Sequence, residues 1–216
     1  MGAHPSRALR AALSRRRDRR ILVLGLDQCG KSVLCAAITA RVSLPKHVNR
    51  GAAESPADPL SSSRGATVDS APFQITSLPL GSKRLELWDV RGSEDARKLW
   101  AHCYVGTSAV LFVVDCSDAT RLPEAQAELR DISLAPELAG VPVLIVISKC
   151  DVVDNPGDSE GDADRATGVA TTLKATTAQC GRDCEVAAVA VPPGGANPRG
   201  IGAVVEWIDK NTRSLP

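Results

Sequence analysis

ILVLGLDQCGKS, residues 21–32, decides the fold of this chain. Its first four residues are apolar without any polar alternation, which is typical of a strand buried on both faces of a parallel sheet. Gly25, four intervening residues, Gly30, Lys31 and Ser32 follow, and this is the spacing of a loop that wraps main-chain N–H groups around nucleotide phosphates. The segment therefore predicts a strand, a phosphate-binding loop and a helix that begins where the loop ends.

The residues of this loop have separate expected roles. Two glycines allow backbone angles and close approaches that a Cβ would prevent. Lys31 is expected to reach the β- and γ-phosphates, and the Ser32 hydroxyl is expected to bind Mg²⁺. Cys29 lies beside Lys31 and a helix N-terminus, a setting that can lower the pKa of a thiol, but plain space filling is the favoured interpretation. The nucleotide contacts predicted here are Gly25, Asp27, Gln28, Cys29, Gly30, Lys31, Ser32 and Val33.

The composition suits a single α/β domain. The chain has 216 residues, of which 44% are hydrophobic, enough to bury a sizeable core. Seven cysteines without Cys-x-x-Cys spacing and three histidines predict neither a disulfide framework nor a zinc site. Aromatic residues make up 3% of the chain, so no stacking platform for nucleic acid is expected. No apolar run is long enough to cross a bilayer.

The first twenty residues form a basic arm. They hold seven Arg against one Asp, whereas the whole chain has a net charge of +1, so the basicity is local. MGAHPS, residues 1–6, fits the pattern for myristoylation of Gly2, and a basic cluster beside one acyl chain can make membrane anchoring stable. A mitochondrial presequence, a nuclear signal and an inert basic arm are the alternatives.

Beyond the loop, predicted strands and helices alternate, which indicates a mostly parallel sheet with helices packed on it. Stretches rich in Pro, Gly, Ser and charge, at about 45–70 and 154–165, are expected to be inserted loops, and the second departs from calcium-loop spacing. PFQITSLPL and RLELWDV, joined at residues 81–83, predict a β-hairpin. The other predicted elements are helices over 31–42, 94–103, 121–134, 166–179 and 201–211, and strands over 109–115, 141–147 and 186–191.

The hairpin ends at Asp89-Val90-Arg91-Gly92. At this distance from the phosphate-binding loop, such an Asp is held to Mg²⁺ through water, and the Gly N–H reaches a γ-phosphate when one is present. Asp89 and Gly92 are therefore candidates for a second phosphate-sensing element.

WDVRGSEDARKLWAHCYVGTSAVLFVVDCSD, residues 88–118, resembles the Arf-like small GTPases, whose pattern there is WDVGGQ, a helix with LW, and a strand ending in FVVDS. LGLDxxGKS in the loop, which includes Asp27, and the N-terminal acylation pattern are similar to the same family. The similarity covers about residues 21–151 well and the last third loosely. It implies a P-loop small-GTPase fold over 21–213, with a mostly parallel six-stranded sheet, one antiparallel edge hairpin and helices on both faces.

The resemblance also implies a function. Members of the family are monomeric switches that bind GDP and GTP with Mg²⁺, hydrolyse GTP slowly and present their switch regions to effector proteins at membranes. An exchange factor and a GTPase-activating protein are implied partners, and nucleic acid is not. A cytoplasmic, peripherally membrane-associated protein of vesicle trafficking or membrane-associated regulation is what the resemblance leads us to expect.

The family reads its base with an N-K-x-D segment after a strand, whose Asp accepts from guanine N1–H and the exocyclic amine while the Lys stem lies along the ring. Ser148, Lys149 and Asp151 occupy those positions here. Ala190 is the counterpart of a further base-contacting alanine.

Alignment back from Trp88 assigns two positions of the family's switch I. Phe73 falls on its phenylalanine, and Ser70 falls on its Mg²⁺-binding threonine, with Thr67 as the alternative. The resemblance thus adds Ser70 to the expected Mg²⁺ ligands.

Three departures from the family pattern bear on activity. Ser93 stands where the family has the glutamine that orients the attacking water, and its short side chain predicts impaired hydrolysis. Arg91 replaces a glycine and could clamp phosphate or pair with Glu94. Ser148 replaces an asparagine that braces the base loop, which predicts weaker guanine binding. The alternative function is a catalytically degenerate adaptor that binds partners without nucleotide cycling.

Overall fold

In a computed structural model, the described residues are 19–43, 73–81, 83–150, 159–192 and 197–212. Their strands are β1 (Arg19–Leu24), β2 (Phe73–Leu80), β3 (Lys83–Val90), β4 (Thr107–Asp115), β5 (Val143–Ser148) and β6 (Glu185–Ala188). Their α-helices are α1 (Lys31–Ser43), α2 (Glu94–Arg97), α3 (Leu122–Leu134), α4 (Ser159–Gln179) and α5 (Ile201–Asn211). Shorter 3₁₀ turns lie at Trp100–Cys103, Ala119–Arg121 and Pro136–Leu138.

The six strands form one sheet in the order β2-β3-β1-β4-β5-β6. The pair β2–β3 is antiparallel and the other neighbouring pairs are parallel, which confirms the predicted sheet with its edge hairpin. The connection after β1 leads to one side of that strand, and the later chain continues on its other side. Ligands of such sheets bind beyond the carboxyl end of the strands at this point.

Helices cover both faces of the sheet. Side chains alternate along β4, so that Phe112 joins a buried cluster with α3 and α4, while Leu111 joins another with α1 and α5. A strand that packs on both sides needs apolar residues at every position, and this is why the segments around β1 and β4 lack polar alternation. The core therefore fixes the strand ends from which the loops of the candidate site extend.

Three predicted boundaries are wrong. The helix predicted over 94–103 is interrupted, since α2 ends at Arg97 and a 3₁₀ turn begins at Trp100, whose buried indole N–H donates to the Arg91 carbonyl at 2.9 Å. The loop predicted over 154–165 is helical from Ser159 onward. Acidic residue types suit the N-terminal end of a helix dipole, which the composition-based loop prediction did not take into account. The strand predicted to end at residue 191 ends at Ala188.

Several predicted features lie outside the described residues. They are the basic arm up to residue 18, the inserted loop over 45–70, and the start of the acidic stretch. Among the helices that the structure describes, none is both long enough and apolar enough to span a bilayer.

Candidate nucleotide-binding site

The glycine-rich loop folds around the amine of its own lysine. Lys31 is 7% exposed, and its Nζ donates to the carbonyl oxygens of Gly25 at 3.0 Å and Leu26 at 2.6 Å. Within the described part of the chain, no carboxylate lies within ion-pair distance of this amine. A buried ammonium without an acidic partner is costly, and an anionic ligand would offset that cost. The loop is therefore suited to bind phosphate.

Both loop glycines are required by the backbone. Gly25 has a φ of +141°, and a Cβ on it would lie 2.2 Å from the Val113 carbonyl oxygen. Gly30 has a φ of +93°, which residues with a Cβ rarely adopt. Gln28 between them also has a positive φ, of 60°. The loop thus keeps a tight curve that directs its main chain inward.

A hydroxyl and a carboxylate from distant segments meet beside the loop. The Ser32 hydroxyl donates to Asp89 Oδ2 at 2.5 Å. Asp89 lies next to the end of β3, and in the parallel ladder it is opposite Val23 of β1, which brings it to the start of the loop. Hydroxyl and carboxylate oxygens are ligands that Mg²⁺ accepts, so these residues fit that ion.

Gly92 packs directly on the loop. Its carbonyl oxygen accepts from the Asp27 N–H at 3.1 Å, and a Cβ on Gly92 would lie 2.2 Å from the Gly25 carbonyl oxygen. Ser93 follows it, exposed, with an extended backbone, and its hydroxyl does not cap α2. The second predicted phosphate-sensing segment is therefore in contact with the first.

Ser148 connects the base loop to the phosphate loop. Its buried hydroxyl lies 2.6 Å from the Cys29 carbonyl oxygen and 3.1 Å from that of Val114. A hydroxyl has one proton to donate, and the shorter distance favours Cys29 as the acceptor. The serine thus retains a brace between the two loops at the position where the family resemblance implies asparagine.

Lys149 is held in place by an acidic partner on the neighbouring strand. It has a φ of 59°, and its Nζ lies 2.6 Å from Asp115 Oδ2 at the end of β4. Burial raises the pKa of Asp115, but hydrogen bonds from Lys149 and from both the hydroxyl and the N–H of Ser117 outweigh it and lower that pKa below its usual value. The lysine stem is therefore fixed by an ionised carboxylate.

Sequence reasoning did not single out Arg121, which fixes Asp27. The guanidinium lies 2.6 Å from Asp27 Oδ1 and donates to Glu124 at 2.9 Å. The hydrogen bond from Arg121 lowers the pKa of Asp27 below its ordinary value. The loop is thereby connected to the start of α3.

Arg97 forms a second connection to α3 that the sequence reasoning missed. Its guanidinium donates to the Gly92 carbonyl at 3.0 Å, and it lies 2.6 Å from Glu124 and 2.8 Å from Glu128. The two glutamates are four residues apart on α3 and so share a helix face, a spacing that could have suggested a shared basic partner. The chain of contacts from Asp27 to Gly92 passes through this helix.

Cys29 is a space-filling residue. It is 4% exposed, and burial raises the pKa of its thiol, an effect that outweighs the opposing charge of Lys31. The favoured interpretation of Cys29 as space filling agrees with this burial, whereas the lowered pKa suggested by its position beside a helix N-terminus is wrong, because desolvation dominates.

A cavity of about 240 Å³ opens beside the loop. It lies between the loop, the end of β4 and the start of α3, and its lining includes Asp27, Gln28, Asp115, Arg121 and Lys149. The loop thus contributes to the wall of this cavity, on the side where Asp115 and Lys149 lie.

The remaining predicted residues are placed as follows. Val33 is half exposed on the first turn of α1. Ala190 is buried after β6, where it forms an antiparallel bridge with Arg199. Gly2, Thr67, Ser70 and Asp151 lie outside the described residues.

The hairpin carries an aromatic pair. The rings of Phe73 and Trp88 stack with centroids 4.8 Å apart, and the Arg20 guanidinium lies 4.0 Å from the Trp88 ring centroid. Trp88 is thus a half-buried hairpin residue between β1 and β2.

Comparisons with known proteins agree with this geometry. The family model described as the ADP-ribosylation factor family matches residues 62–192, a stretch that contains the WDVRG and SKCD segments and begins after the glycine-rich loop. ADP-ribosylation factor K of Dictyostelium discoideum is 30% identical over 137 residues, 63% of this chain and 62% of that protein. ADP-ribosylation factor-like protein 3 of Chlamydomonas reinhardtii is 29% identical over 136 residues, 63% of this chain and 65% of that protein. The chain thus spans slightly less than two thirds of the length of these relatives.

Solved structures share the fold. The Arl6 BBS3 small GTPase of Trypanosoma brucei, solved with the nucleotide analogue GppNp, aligns over 90% of this chain and 97% of its own with a TM-score of 0.59 and 19% identity. The translation elongation factor SelB of Methanococcus maripaludis, in complex with GppNHp, aligns over 92% of this chain and 34% of its own with a TM-score of 0.61 and 13% identity. Since the family model matches more than half of its residues, this chain belongs to the ADP-ribosylation factor family.

Proposed function

We propose that this chain is a guanine-nucleotide-binding switch. The observation that carries the proposal is the arrangement at the carboxyl end of β1 and β3, where the Lys31 amine is buried against the carbonyls of its loop and the adjacent Ser32 hydroxyl contacts the Asp89 carboxylate. The amine suits phosphate, and the two oxygens suit Mg²⁺. Membership of the ADP-ribosylation factor family supports GTP and GDP as the nucleotides.

Each element of the site has a role in this proposal. The main chain of the loop binds and orients the phosphates, and the Lys31 amine exchanges its carbonyl acceptors for phosphate oxygens. Mg²⁺, when bound, supplies positive charge that neutralises the phosphates. The Gly92 N–H belongs to a segment that already contacts the loop, so a terminal phosphate that pulls on it also moves the neighbouring α2.

Base selection tests the guanine assignment. In the proposal, Asp151 accepts from guanine N1–H and the exocyclic amine, neither of which adenine offers in that arrangement. Asp151→Asn should weaken GTP binding at least about tenfold. It should also improve binding of xanthosine triphosphate, because xanthine has a carbonyl where guanine has the amine. Asp154→Asn is the matched control and should leave both affinities unchanged. Equal affinities of the unmodified protein for ATP and GTP would contradict the assignment.

We further propose that hydrolysis is slow. Ser93 is exposed beside Gly92, and its short side chain does not supply the amide that orients water in the family pattern. In single-turnover assays Ser93→Gln should raise the hydrolysis rate, since such positioning contributes orders of magnitude. If no nucleotide binds to the purified chain, and Ser93→Gln yields no hydrolysis, the adaptor alternative is favoured instead.

The membrane part of the proposal concerns the N-terminal arm. We propose that residues 1–20 form an arm before the nucleotide-binding domain over 21–213, and that Gly2 is acylated. The acyl group and the basic arm together would hold this monomeric protein at an anionic membrane surface. Effectors would bind its switch regions there. Mass spectrometry of the native N-terminus is the test. We expect an acyl group on Gly2. The variant Gly2→Ala should lose both the acyl group and membrane binding. A cleaved N-terminus would instead indicate a presequence.

A further inference from the structure

Two thiols face each other where β4 and β5 end. The sulfur of Cys116 lies 3.8 Å from the sulfur of Cys150, and the two cysteines are not joined by a disulfide. Cys116 directly follows β4, and Cys150 comes two residues after β5. These strands are parallel neighbours, with Asp115 opposite Ser148. The pair is therefore set by the sheet, although the residues are far apart in sequence.

The two sulfur atoms are close enough for a covalent bond to be considered between them. The register of β4 and β5, with Asp115 opposite Ser148, brings the two side chains together just beyond the strand ends. The Cys116 N–H already donates to the Ser148 carbonyl at 3.2 Å, which anchors one side of the pair. The sulfur atoms have to close from 3.8 Å to a bond of about 2.05 Å.

The two thiols differ in accessibility. Cys116 is 2% exposed, whereas Cys150 is half-buried. The hydrogen bond to Cys150, together with burial, raises the pKa of Cys116. An oxidant from solution therefore reaches Cys150 first, and Cys116 is the resolving thiol.

We propose that Cys116 and Cys150 form a reversible disulfide, and that this modification accelerates release of the bound guanine nucleotide. The oxidant is a small-molecule disulfide of the glutathione type. The Cys150 thiolate attacks one of its sulfur atoms and releases one small thiol. The deprotonated Cys116 then attacks the Cys150 sulfur and releases the second, so that two electrons pass to the small disulfide and two protons to its thiols. The effect on nucleotide release rests on the proposed function, whereas the disulfide itself does not.

The bond would act on the base loop through adjacent residues. Cys150 lies between Lys149 and Asp151 in the segment proposed to read guanine. Lys149 pairs with Asp115, and Asp115 is adjacent to Cys116, so the ion pair and the thiol pair bridge the same two strand ends side by side. A disulfide pulls residue 150 toward β4. It thereby displaces the adjacent Lys149, whose backbone is left-handed, from its position.

The test uses the full chain loaded with a fluorescent GDP analogue and treated with oxidised glutathione. Peptide mass spectrometry should find a Cys116–Cys150 disulfide, and the dissociation rate of the analogue should rise about tenfold, within the usual range of coupling between two sites. Dithiothreitol should reverse both. Cys116→Ser should stop at a mixed disulfide on Cys150. If Cys116→Ser does not fold, Cys150→Ser is the second variant, and it should likewise form no disulfide between positions 116 and 150. Cys180→Ser, at a half-buried cysteine elsewhere, is the matched control and should behave as the unmodified chain.

The outcomes separate the two proposals. Nucleotide binding without a mapped Cys116–Cys150 bond would overturn this inference and leave the proposed function intact. A mapped bond with an unchanged dissociation rate would overturn the coupling. A mapped bond in a chain that binds no guanine nucleotide would support the modification site, but would overturn the proposed function and the coupling that rests on it.

Discussion

At the scale of single residues, Lys31 illustrates a group placed for a ligand rather than for stability. Its amine is buried against carbonyl oxygens, and none of the carboxylates that the structure describes pairs with it, so the folded chain gains little from its charge. Lys31→Met keeps the length of the side chain and removes the charge. We expect nucleotide affinity to fall by about tenfold or more, while the unfolding free energy of the nucleotide-free protein changes by less than about 1 kcal/mol.

Nucleotide titration and urea unfolding of the same variant measure these two quantities. Lys98→Met, at an exposed lysine with a surface ion pair, is the control and should change neither. Unchanged affinity of Lys31→Met would contradict the proposed role of its amine.

Replacement of glycine by alanine should have opposite effects on stability at Gly92 and at Gly168. A methyl on Gly92 would lie 2.2 Å from the Gly25 carbonyl oxygen, so Gly92→Ala should separate the two loops and destabilise the protein by about 2 kcal/mol or more. Gly168 is in α4 with open space around its Cβ position, so Gly168→Ala should stabilise by about 0.5–1 kcal/mol. Urea unfolding measures the free energy of unfolding of both variants. A Gly168→Ala variant that is less stable than the unmodified chain would contradict the prediction for that position.

At the scale of elements, the ion pair of Asp115 with Lys149 joins the ends of β4 and β5. The pKa of Asp115 is lower in the folded chain than in the unfolded one. The ionised carboxylate therefore contributes its full share to the free energy of unfolding when the pH is above the unfolded pKa of roughly 3.9. This contribution is lost as the pH falls through the folded pKa. Asp115→Asn should therefore cost about 1 kcal/mol near pH 7, and this difference should shrink below pH of about 4. Unfolding free energies of both proteins as a function of pH test this. A difference that stays constant at acid pH would contradict it.

At the scale of the whole molecule, nucleotide binding should stabilise the fold. A ligand at about 100 times its Kd adds about 2.7 kcal/mol to the unfolding free energy, and in a domain of this size that raises the Tm by about 5–10 °C. GDP with Mg²⁺ should produce such a shift in a thermal scan, ADP should not, and chelation of Mg²⁺ should reduce it. A shift of equal size with both nucleotides would contradict guanine selectivity.

The sequence by itself determined the sheet, the glycine-rich loop and the family. Buried strands need continuous apolar residues, and a tight phosphate loop needs glycine where φ is positive, so both leave local patterns in the chain. The role of the Asp89 segment beside the loop was predicted from the Asp-x-x-Gly pattern that follows the hairpin.

Tertiary structure alone decided which partners fix these groups. Arg121 on Asp27, Arg97 on the Gly92 carbonyl, Asp115 on Lys149 and the facing thiols of Cys116 and Cys150 join residues from separate elements. Such contacts depend on strand order and helix placement, which bring together side chains that have no regular spacing along the chain. For the same reason the pKa of Cys29 could not be inferred from its neighbours in sequence, because burial by the packed core outweighs them.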